Sequence, residues 1–131
     1  MAVNLGGKWI LAETDNYEQF MIDINVPEPM RKILMAKAEL EIVHEGNIIK
    51  YRRRRGDDIL ELVFTIGEKF KENAYGYKEI RVCTWEGDKL VAKTAEGKSH
   101  WTSTVEIIGG RLVATDVSAG GVSGKRTFDR V

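Results

Sequence analysis

The residues with the clearest potential for chemistry are arginines. Residues 51–58 read YRRRRGDD, an unbroken basic run from Arg52 to Arg55 followed by a turn sequence. Such a run is typical of a nucleic-acid or nuclear-localisation patch, and it also occurs in solvated turns. A further arginine, Arg126, stands two residues before Phe128 near the carboxyl end. Because a guanidinium fork matches the two oxygens of a carboxylate, both places are candidates for binding an anion.

Other reactive residue types are sparse. His44 and His100 lie far apart in the sequence without metal-ligand spacing, so we predict no metal site. Cys83, the one cysteine, has no evident base partner and is expected to be a buried strand thiol. A single cysteine cannot form an internal disulfide, which favours a reducing compartment. With no secretory signal or membrane-spanning run in the sequence, we expect a cytoplasmic protein.

Length and charge limit the function classes. The chain has 131 residues, of which 43% are hydrophobic, so we predict one domain over residues 1–131. Lysine plus arginine and aspartate plus glutamate number 20 each, which gives a formal net charge of zero. Nucleic-acid-binding domains are usually strongly basic, so the arginine run is a local feature and we expect no nucleic-acid partner.

Glycine-containing turns are the most regular feature of the chain from residue 45 onward, and they recur about every ten residues. Between them lie segments rich in Val, Ile, Thr and aromatic residues, several of which alternate apolar and polar side chains. This spacing and alternation predict nine β-strands with one buried and one solvated face. GGKWILAET, before them, predicts one more strand.

The region between the first two predicted strands has helical periodicity. A first helix is expected from Asn16, which can form a capping box with Gln19. A second helix begins at the two prolines, Pro27 and Pro29, with an apolar face that includes Ile33. We predict an all-β fold: a ten-stranded antiparallel up-and-down β-barrel with a helix-turn-helix lid over about residues 16–37. Such a barrel is wide enough inside to hold a ligand.

Several motifs then point to a family. The sequence Gly7-Lys8-Trp9-Ile10-Leu11 followed by Asn16-Tyr17-Glu18 and Phe20 resembles the amino-terminal signature of the intracellular lipid-binding proteins. Further matches are Arg31-Lys32, Phe64-x-x-Gly67-Glu68-x-Phe70 and Lys125-Arg126-x-Phe128. The resemblance covers essentially the whole chain. It implies a β-clam around a cavity with a helix-capped portal, in a monomeric carrier that needs no cofactor and is not an enzyme.

The resemblance also implies where a ligand head group binds. Many members use an arginine on the eighth strand and Arg-x-Tyr on the last strand. Here alternation directs Arg126 inward together with Phe128, which lacks the tyrosine hydroxyl; the second arginine falls on Ser103 or Thr104. The cradle is thereby reduced to one interior arginine, which either binds ligand or pairs with an internal acid. The Lys125-Arg126 ending is closer to the liver-type and bile-acid-binding branch.

The arginine run divides between two faces of one strand. Arg53 and Arg55 share a face with Tyr51, and they are expected to point inward near the mouth as additional head-group ligands. Outward side chains from the run and the lid are expected to form a basic rim for transient contact with anionic membranes, with a solvated turn as the alternative. The members of this rim are Arg31, Lys32, Arg52 and Arg54.

The motif positions also name the residues expected to contact a ligand tail near the portal. These are Tyr17, Phe20, Met21, Val26, Met30, Leu34, Leu60 and Tyr75.

The function expected from the resemblance is non-covalent transport of long-chain fatty acids or related anionic amphiphiles in the cytosol. An alternative is a carrier of ligands similar to bile acids or retinoids. A third reading is an interaction module that docks through the turn at Arg52–Arg55, and a lipid isomerase in the same barrel ranks last.

Overall fold

The structure, a computed structural model, describes residues 3–131, so Met1 and Ala2 of the predicted domain lie outside the described residues. In that range ten strands and two helices follow the predicted order. The strands are β1 (Gly7–Asp15), β2 (Glu39–Glu45), β3 (Ile48–Arg55), β4 (Asp58–Thr65), β5 (Lys69–Ala74), β6 (Tyr77–Glu86), β7 (Lys89–Glu96), β8 (Trp101–Ile108), β9 (Arg111–Ser118) and β10 (Ser123–Arg130). The helices α1 (Tyr17–Asp23) and α2 (Glu28–Met35) lie between β1 and β2.

The strands form one antiparallel sheet that is nearly closed into a barrel. Consecutive strands pair with each other except β4 and β5, and β1 also pairs with β10. The sheet order therefore begins at β4 and ends at β5, with no ladder between these two strands in the described part of the chain. Phe64 of β4 and Phe70 of β5 stack at this break, with ring centroids 4.6 Å apart. The predicted ten-stranded barrel is confirmed, with one seam joined by side chains.

The turn at the end of the arginine run lies where the sequence predicts it. β3 ends at Arg55 and β4 begins at Asp58, so Gly56 and Asp57 connect them. Gly56 has a φ of 58°, a left-handed conformation that glycine adopts without strain. Arg53 pairs in register with Leu40 on β2 and with Leu60 on β4. The run is therefore part of a strand, and its side chains alternate between the two faces of the sheet.

Helix α1 packs directly against β10. A Cβ atom added at Gly124 would lie 2.7 Å from Cβ of Phe20 and 2.9 Å from Cα of Tyr17, so glycine is what allows this approach. The predicted capping box is wrong, because Asn16 makes no side-chain cap and has a φ of 55°. Its Nδ2 instead donates to the Ser123 carbonyl at 3.0 Å, which ties the helix start to β10.

Helix α2 is held more loosely. Its prolines lie where the sequence predicts, with Pro27 as the N-cap and Pro29 in the first turn. No residue of this helix is fully buried, and Ile33 is 58% exposed, so its expected place on a packed apolar face is wrong. Met30, Leu34 and Met35 are the residues of α2 that pack against the apolar cluster beneath the lid.

The apolar interior divides into two clusters. One lies within the barrel around the fully buried Trp9 of β1 and extends along the strands. The other joins the lid to the barrel wall and is built on α1 and Trp101 of β8. An internal cavity lies within the barrel and is lined by residues of both clusters.

Candidate functional site: the barrel cavity

A cavity of about 400 Å³ lies inside the barrel. Strand side chains that alternate inward make up most of its wall, and they are predominantly apolar, as in ligand pockets generally. Apolar lining residues from the strands include Leu40, Ile42, Ile49, Leu60, Leu62, Phe64, Phe70, Leu90, Val105, Leu112 and Phe128. The charged lining residues are of both signs and include Arg53, Arg126, Asp116, Glu61 and Glu72. The apolar wall suits a hydrocarbon chain, and the two arginines are candidates for binding a head group.

Four of the eight predicted tail-contact residues line this cavity: Tyr17, Leu34, Leu60 and Tyr75. The other four do not, because the lid packs on the barrel and not over open space. Phe20, Met21 and Val26 are fully buried beneath the lid, and Met30 packs against the same cluster. Phe20 meets Tyr75 edge to face, with centroids 5.5 Å apart. These four residues stabilise the lid, and their predicted contact with a ligand is not supported by this placement.

Arg126 lies on the cavity wall with an acid beside it. Its Nη2 is 3.4 Å from Oδ2 of Asp116, and its guanidinium stands 4.7 Å from the Tyr17 ring centroid. Asp116 also accepts a hydrogen bond of 2.6 Å from the Tyr75 hydroxyl, which contacts the Tyr17 hydroxyl at 2.8 Å. Burial opposes the charge on Arg126, but the neighbouring Asp116 carboxylate favours it, and the pKa of Arg126 is raised.

The hydroxyls next to Arg126 are neutral donors at ordinary pH. Burial raises the pKa of Tyr75 well above its usual value, and the Asp116 carboxylate adds to the effect. Burial likewise raises the pKa of Tyr17. The sequence left two roles open for Arg126, pairing with an internal acid and binding a ligand. Its geometry is compatible with both, because it pairs with Asp116 and also lines the cavity. Direct contact between Arg126 and a ligand remains a prediction.

Of the two positions that correspond to the missing second arginine, Ser103 lines the cavity and Thr104 does not. Ser103 Oγ accepts a hydrogen bond of 3.0 Å from Nε1 of Trp101. Thr104 pairs with Thr115 on the opposite face of the sheet, so alternation along β8 excludes it from the interior. Phe128 is buried at the cavity wall and brings no hydroxyl.

The interior contains a second arginine that sequence reasoning missed. Arg81 of β6 is fully buried, with Nε 3.1 Å from Glu72 and Nη1 3.3 Å from Glu79. It also donates to the carbonyls of Trp101 at 3.1 Å and Ala92 at 2.8 Å. Arg81 is not among the arginines that the sequence predicts to point inward, which are Arg126, Arg53 and Arg55. Alternation along EIRVCTW, which places Arg81 on one face with Cys83, was the signal that could have found it.

The carboxylate cluster around Arg81 is tied to the surface through a histidine. Glu79 accepts hydrogen bonds from Thr94 Oγ1 and binds Nδ1 of His100 at 2.9 Å. Burial raises the pKa of Glu72, and the nearby Arg81 charge opposes that rise. Among residues 3–131, three or more His, Cys, Asp or Glu side chains do not converge as a metal site would require.

Two arginines of the run turn toward the interior as predicted. Arg53 lines the cavity, and its side chain is 20% exposed. Arg55 is beside the lid, where its Nη2 donates to the Leu34 carbonyl at 3.3 Å. Tyr51, on the same face of β3, also lines the cavity. The inward placement brings Arg53 and Arg55 to the mouth, and their role as head-group ligands remains a prediction.

The outward side chains do not form a free basic rim. Arg52 pairs with Glu61 at 3.8 Å, and Arg54 pairs with Glu39 at 2.5 Å. Lys32 pairs with Glu28 at 3.3 Å. Each predicted rim cation thus has an acidic neighbour on the surface, which reduces the local positive field.

The fourth predicted rim residue, Arg31, has a structural place. Its side chain is only 18% exposed, and its Nη1 donates to the Val26 carbonyl at 2.8 Å. This bond occupies a backbone acceptor at the connection between α1 and α2. The assignment of Arg31 to a membrane-facing rim is wrong, because its charge is used inside the lid.

A nearly closed ten-stranded barrel with a helical lid and an apolar cavity defines a class of single-domain proteins that enclose a small ligand. The model of the lipocalin / cytosolic fatty-acid binding protein family matches residues 1–131, and the chain belongs to this family.

Similar proteins share the full length of the chain. The liver fatty acid-binding protein of Mus musculus is 31% identical over 98% of this chain and 100% of its own. Retinol-binding protein 1 of Rattus norvegicus is 28% identical over 100% and 99%. Among solved structures, the REP1-NXSQ fatty acid transporter superimposes with a TM-score of 0.87 at 25% identity, covering 97% of this chain and 96% of that one.

Neither helix in the described range, residues 3–131, has the length and apolar character needed to cross a membrane.

Proposed function

We propose that this protein is a lipid carrier that binds a long-chain fatty acid or a related anionic amphiphile non-covalently inside its barrel. The observation that carries the proposal is the cavity of about 400 Å³, which is predominantly apolar and has Arg126 and Arg53, as well as acidic residues, in its wall. Burying an acyl chain stabilises the complex by roughly 0.8 kcal/mol per methylene group. The names of the similar proteins, which include fatty acid and retinol binders, support the same class of ligand.

The carrier proposal includes a cytoplasmic, monomeric protein without a cofactor. The family description is of cytosolic proteins, and a chain with one cysteine suits a reducing compartment. An enzymatic role is not favoured by Cys83, because burial raises the pKa of its thiol to about 12. A thiol with such a pKa carries almost no thiolate at neutral pH and is a poor nucleophile.

A retinoid-like or other neutral ligand is the second candidate, and one observation favours it. Asp116 already lies beside Arg126, so the buried Arg126 charge keeps a counter-ion when a ligand with a neutral hydroxyl head group is bound. The interaction module is less favoured, because Arg52 and Arg54 are paired on the outer face and do not form one stripe with Arg53.

Exchange of ligand through the mouth beneath α2, by transient contact with anionic membranes, is part of the proposal. It predicts that transfer from labelled protein to vesicles rises with anionic lipid and falls with salt. Arg52 and Arg54 lie on the outer face and do not line the cavity, so replacing both with Glu is expected to slow transfer while leaving equilibrium affinity nearly unchanged. Transfer rates that do not respond to vesicle concentration, charge or salt would instead indicate release into water.

The direct test of the carrier proposal is displacement of a fluorescent fatty acid by fatty acids, bile salts and retinoids, with mass spectrometry of any lipid that copurifies. Ala92 lines the cavity, so Ala92→Phe is expected to weaken binding by narrowing it. Ala12 is exposed on β1, and Ala12→Phe is the matched control that should bind as the wild type does. Absence of binding by all three ligand classes to a folded wild-type protein contradicts the proposal.

A further inference from the structure

The cations of the interior are unevenly compensated. Arg81 has two carboxylates within 3.3 Å, and Arg126 has one at 3.4 Å. Arg53 approaches only Asp58, at 3.9 Å, and that aspartate side chain is 67% exposed. For Arg55, the described residues provide no carboxylate within salt-bridge distance; its hydrogen bond goes to the Leu34 carbonyl. The uncompensated positive charge is therefore concentrated at the cavity mouth.

The same two arginines have buried nitrogen atoms that lack acceptors. Within residues 3–131, Nε of Arg53 and both Nε and Nη1 of Arg55 are buried and make no hydrogen bond. A buried donor left without an acceptor is costly, and more so when it is charged. These nitrogens therefore favour an acceptor that the protein chain itself does not provide.

The three arginines face the same interior: Arg53 and Arg126 line one cavity, and Arg55 lies on the same face of β3 as Arg53 and Tyr51. Burial raises the pKa of Tyr51, and the charges of Arg126, Arg53 and Arg55 all oppose that rise. Burial lowers the pKa of Arg55, and the charge of Arg53 lowers it further. Tyr51 thus lies within the field of three cations, of which Arg126 has the buried Asp116 beside it.

We propose that Arg53 and Arg55, with Arg126 deeper in the cavity, form a site for the phosphate monoester head group of a single-chain amphiphile. This inference rests on the proposed carrier function and specifies its ligand. The carboxylates that line the cavity each lie beside another arginine: Asp116 beside Arg126, Glu72 beside Arg81 and Glu61 beside Arg52. Arg53 and Arg55 therefore carry about two positive charges with only the exposed Asp58 near them, and a phosphate monoester of about −1.5 to −2 compensates these better than a carboxylate does. Guanidinium forks also match phosphate oxygens in bidentate geometry.

The position of the site orients the ligand. Arg53 pairs in register with Leu40 and Leu60, both of which line the apolar wall. The acyl chain is therefore placed along the interior, and the phosphate remains at the mouth beside the end of α2. Three phosphate oxygens are enough acceptors for the three unpaired nitrogens of Arg53 and Arg55.

The test compares three ligands that share an oleoyl-length chain: 1-oleoyl-lysophosphatidic acid, oleic acid and oleyl alcohol, measured by calorimetry at fixed salt. Wild-type protein is expected to bind the phosphate about tenfold more tightly than oleic acid. Arg53→Gln and Arg55→Gln should each weaken binding of the phosphate by about tenfold to hundredfold, because each removes charge-assisted hydrogen bonds. Binding of the alcohol should change less than about threefold, since its head group has no charge to lose.

The chain provides matched controls on the same strand. Arg52→Gln and Arg54→Gln remove the same charge from the outer face and should leave the affinity for the phosphate within about threefold of the wild type. An equal loss in inner and outer variants would overturn the proposal, because it would indicate a general effect of net charge. Inorganic phosphate alone should fail to displace the lipid; displacement at similar concentrations would identify a free-phosphate site and overturn the assignment to a lipid.

Failure of this inference is distinct from failure of the carrier proposal. If oleic acid and oleyl alcohol bind but the phosphate binds no more tightly than either, the carrier function stands and the phosphate site is overturned. If none of the three ligands binds to folded protein, both are overturned.

Discussion

Arg81 and Arg126 are both buried arginines in one barrel, but their surroundings differ in the number of acceptors. The guanidinium of Arg81 meets two carboxylates and two backbone carbonyls, and it does not reach the cavity wall. Arg126 meets one carboxylate at 3.4 Å and the faces of two aromatic rings, and it lines the cavity. An arginine inside a barrel is available to a ligand only to the extent that the protein leaves its donors unsatisfied.

The comparison assigns the two residues to different tasks. Arg81 holds β6 to its neighbours, because its acceptors lie on β5, β7 and β8. Arg126 is held in place by Tyr17 and Asp116 and keeps one edge toward the cavity. We expect removal of Arg81 to affect folding most and removal of Arg126 to affect binding most.

The largest expected effect is the loss of stability in Arg81→Leu. The substitution leaves Glu79 buried without its cation, and breaking a buried ion pair from one side costs about 3–5 kcal/mol. Urea unfolding followed by far-UV circular dichroism measures the change. The matched control is Arg111→Leu, which removes an arginine from a partly exposed pair with Asp129. If Arg81→Leu lowers the free energy of unfolding no more than Arg111→Leu does, Arg81 does not have the structural role proposed for it.

Arg126→Gln is expected to have the largest effect on ligand binding. A charge-assisted hydrogen bond contributes about 1.5–3 kcal/mol, so the affinity for oleic acid should fall about tenfold to hundredfold. The affinity for oleyl alcohol should fall much less. Titration of both ligands into wild-type and variant protein distinguishes a loss of head-group binding from a general loss of binding caused by a disturbed structure. Equal losses for acid and alcohol would show that Arg126 supports structure, as Arg81 does.

Asp116→Asn is expected to change ligand affinity in the opposite direction from Arg126→Gln. The variant keeps an oxygen that can accept from the Tyr75 hydroxyl but removes the negative charge beside Arg126. Binding of oleic acid should tighten by about three- to tenfold, since the ligand no longer competes with an internal anion. Displacement of a fluorescent fatty acid measures this gain. Unchanged affinity would mean that Asp116 does not limit access to Arg126.

The smallest expected effect concerns the pH dependence of stability. Because burial raises the pKa of Glu72 above 4.5, the folded protein holds that proton more tightly than the unfolded chain does. The resulting stabilisation is present below the ordinary pKa and is lost as pH rises through the raised pKa. Glu72→Gln should therefore flatten the decline in stability above pH 4.5, measured by urea unfolding across that range. Parallel wild-type and variant curves would contradict this.

Much of the fold could be predicted from the sequence because its signals are local. Turn spacing predicted the strands, and alternation predicted the faces of β3 and the inward position of Arg126. The surroundings of Arg81 depend on partners as distant as Glu72 and Trp101, whose approach is set by barrel closure. Helical periodicity identified the apolar face of α1, but it could not distinguish a face over a cavity from one packed on β10. The motif position that assigns Phe20 to the ligand carries no information on this packing either.

The break between β4 and β5 has a consequence for behaviour at high concentration. Each of these strands leaves backbone donors and acceptors unpaired, and exposed edges of this kind promote strand addition between molecules. Here the two edges belong to one molecule and are brought together by the stacked rings of Phe64 and Phe70. A neighbouring copy would have to part these rings before it could add a strand. The contact between Phe64 and Phe70 therefore protects the two strand edges from aggregation, although β4 and β5 form no backbone hydrogen-bond ladder with each other.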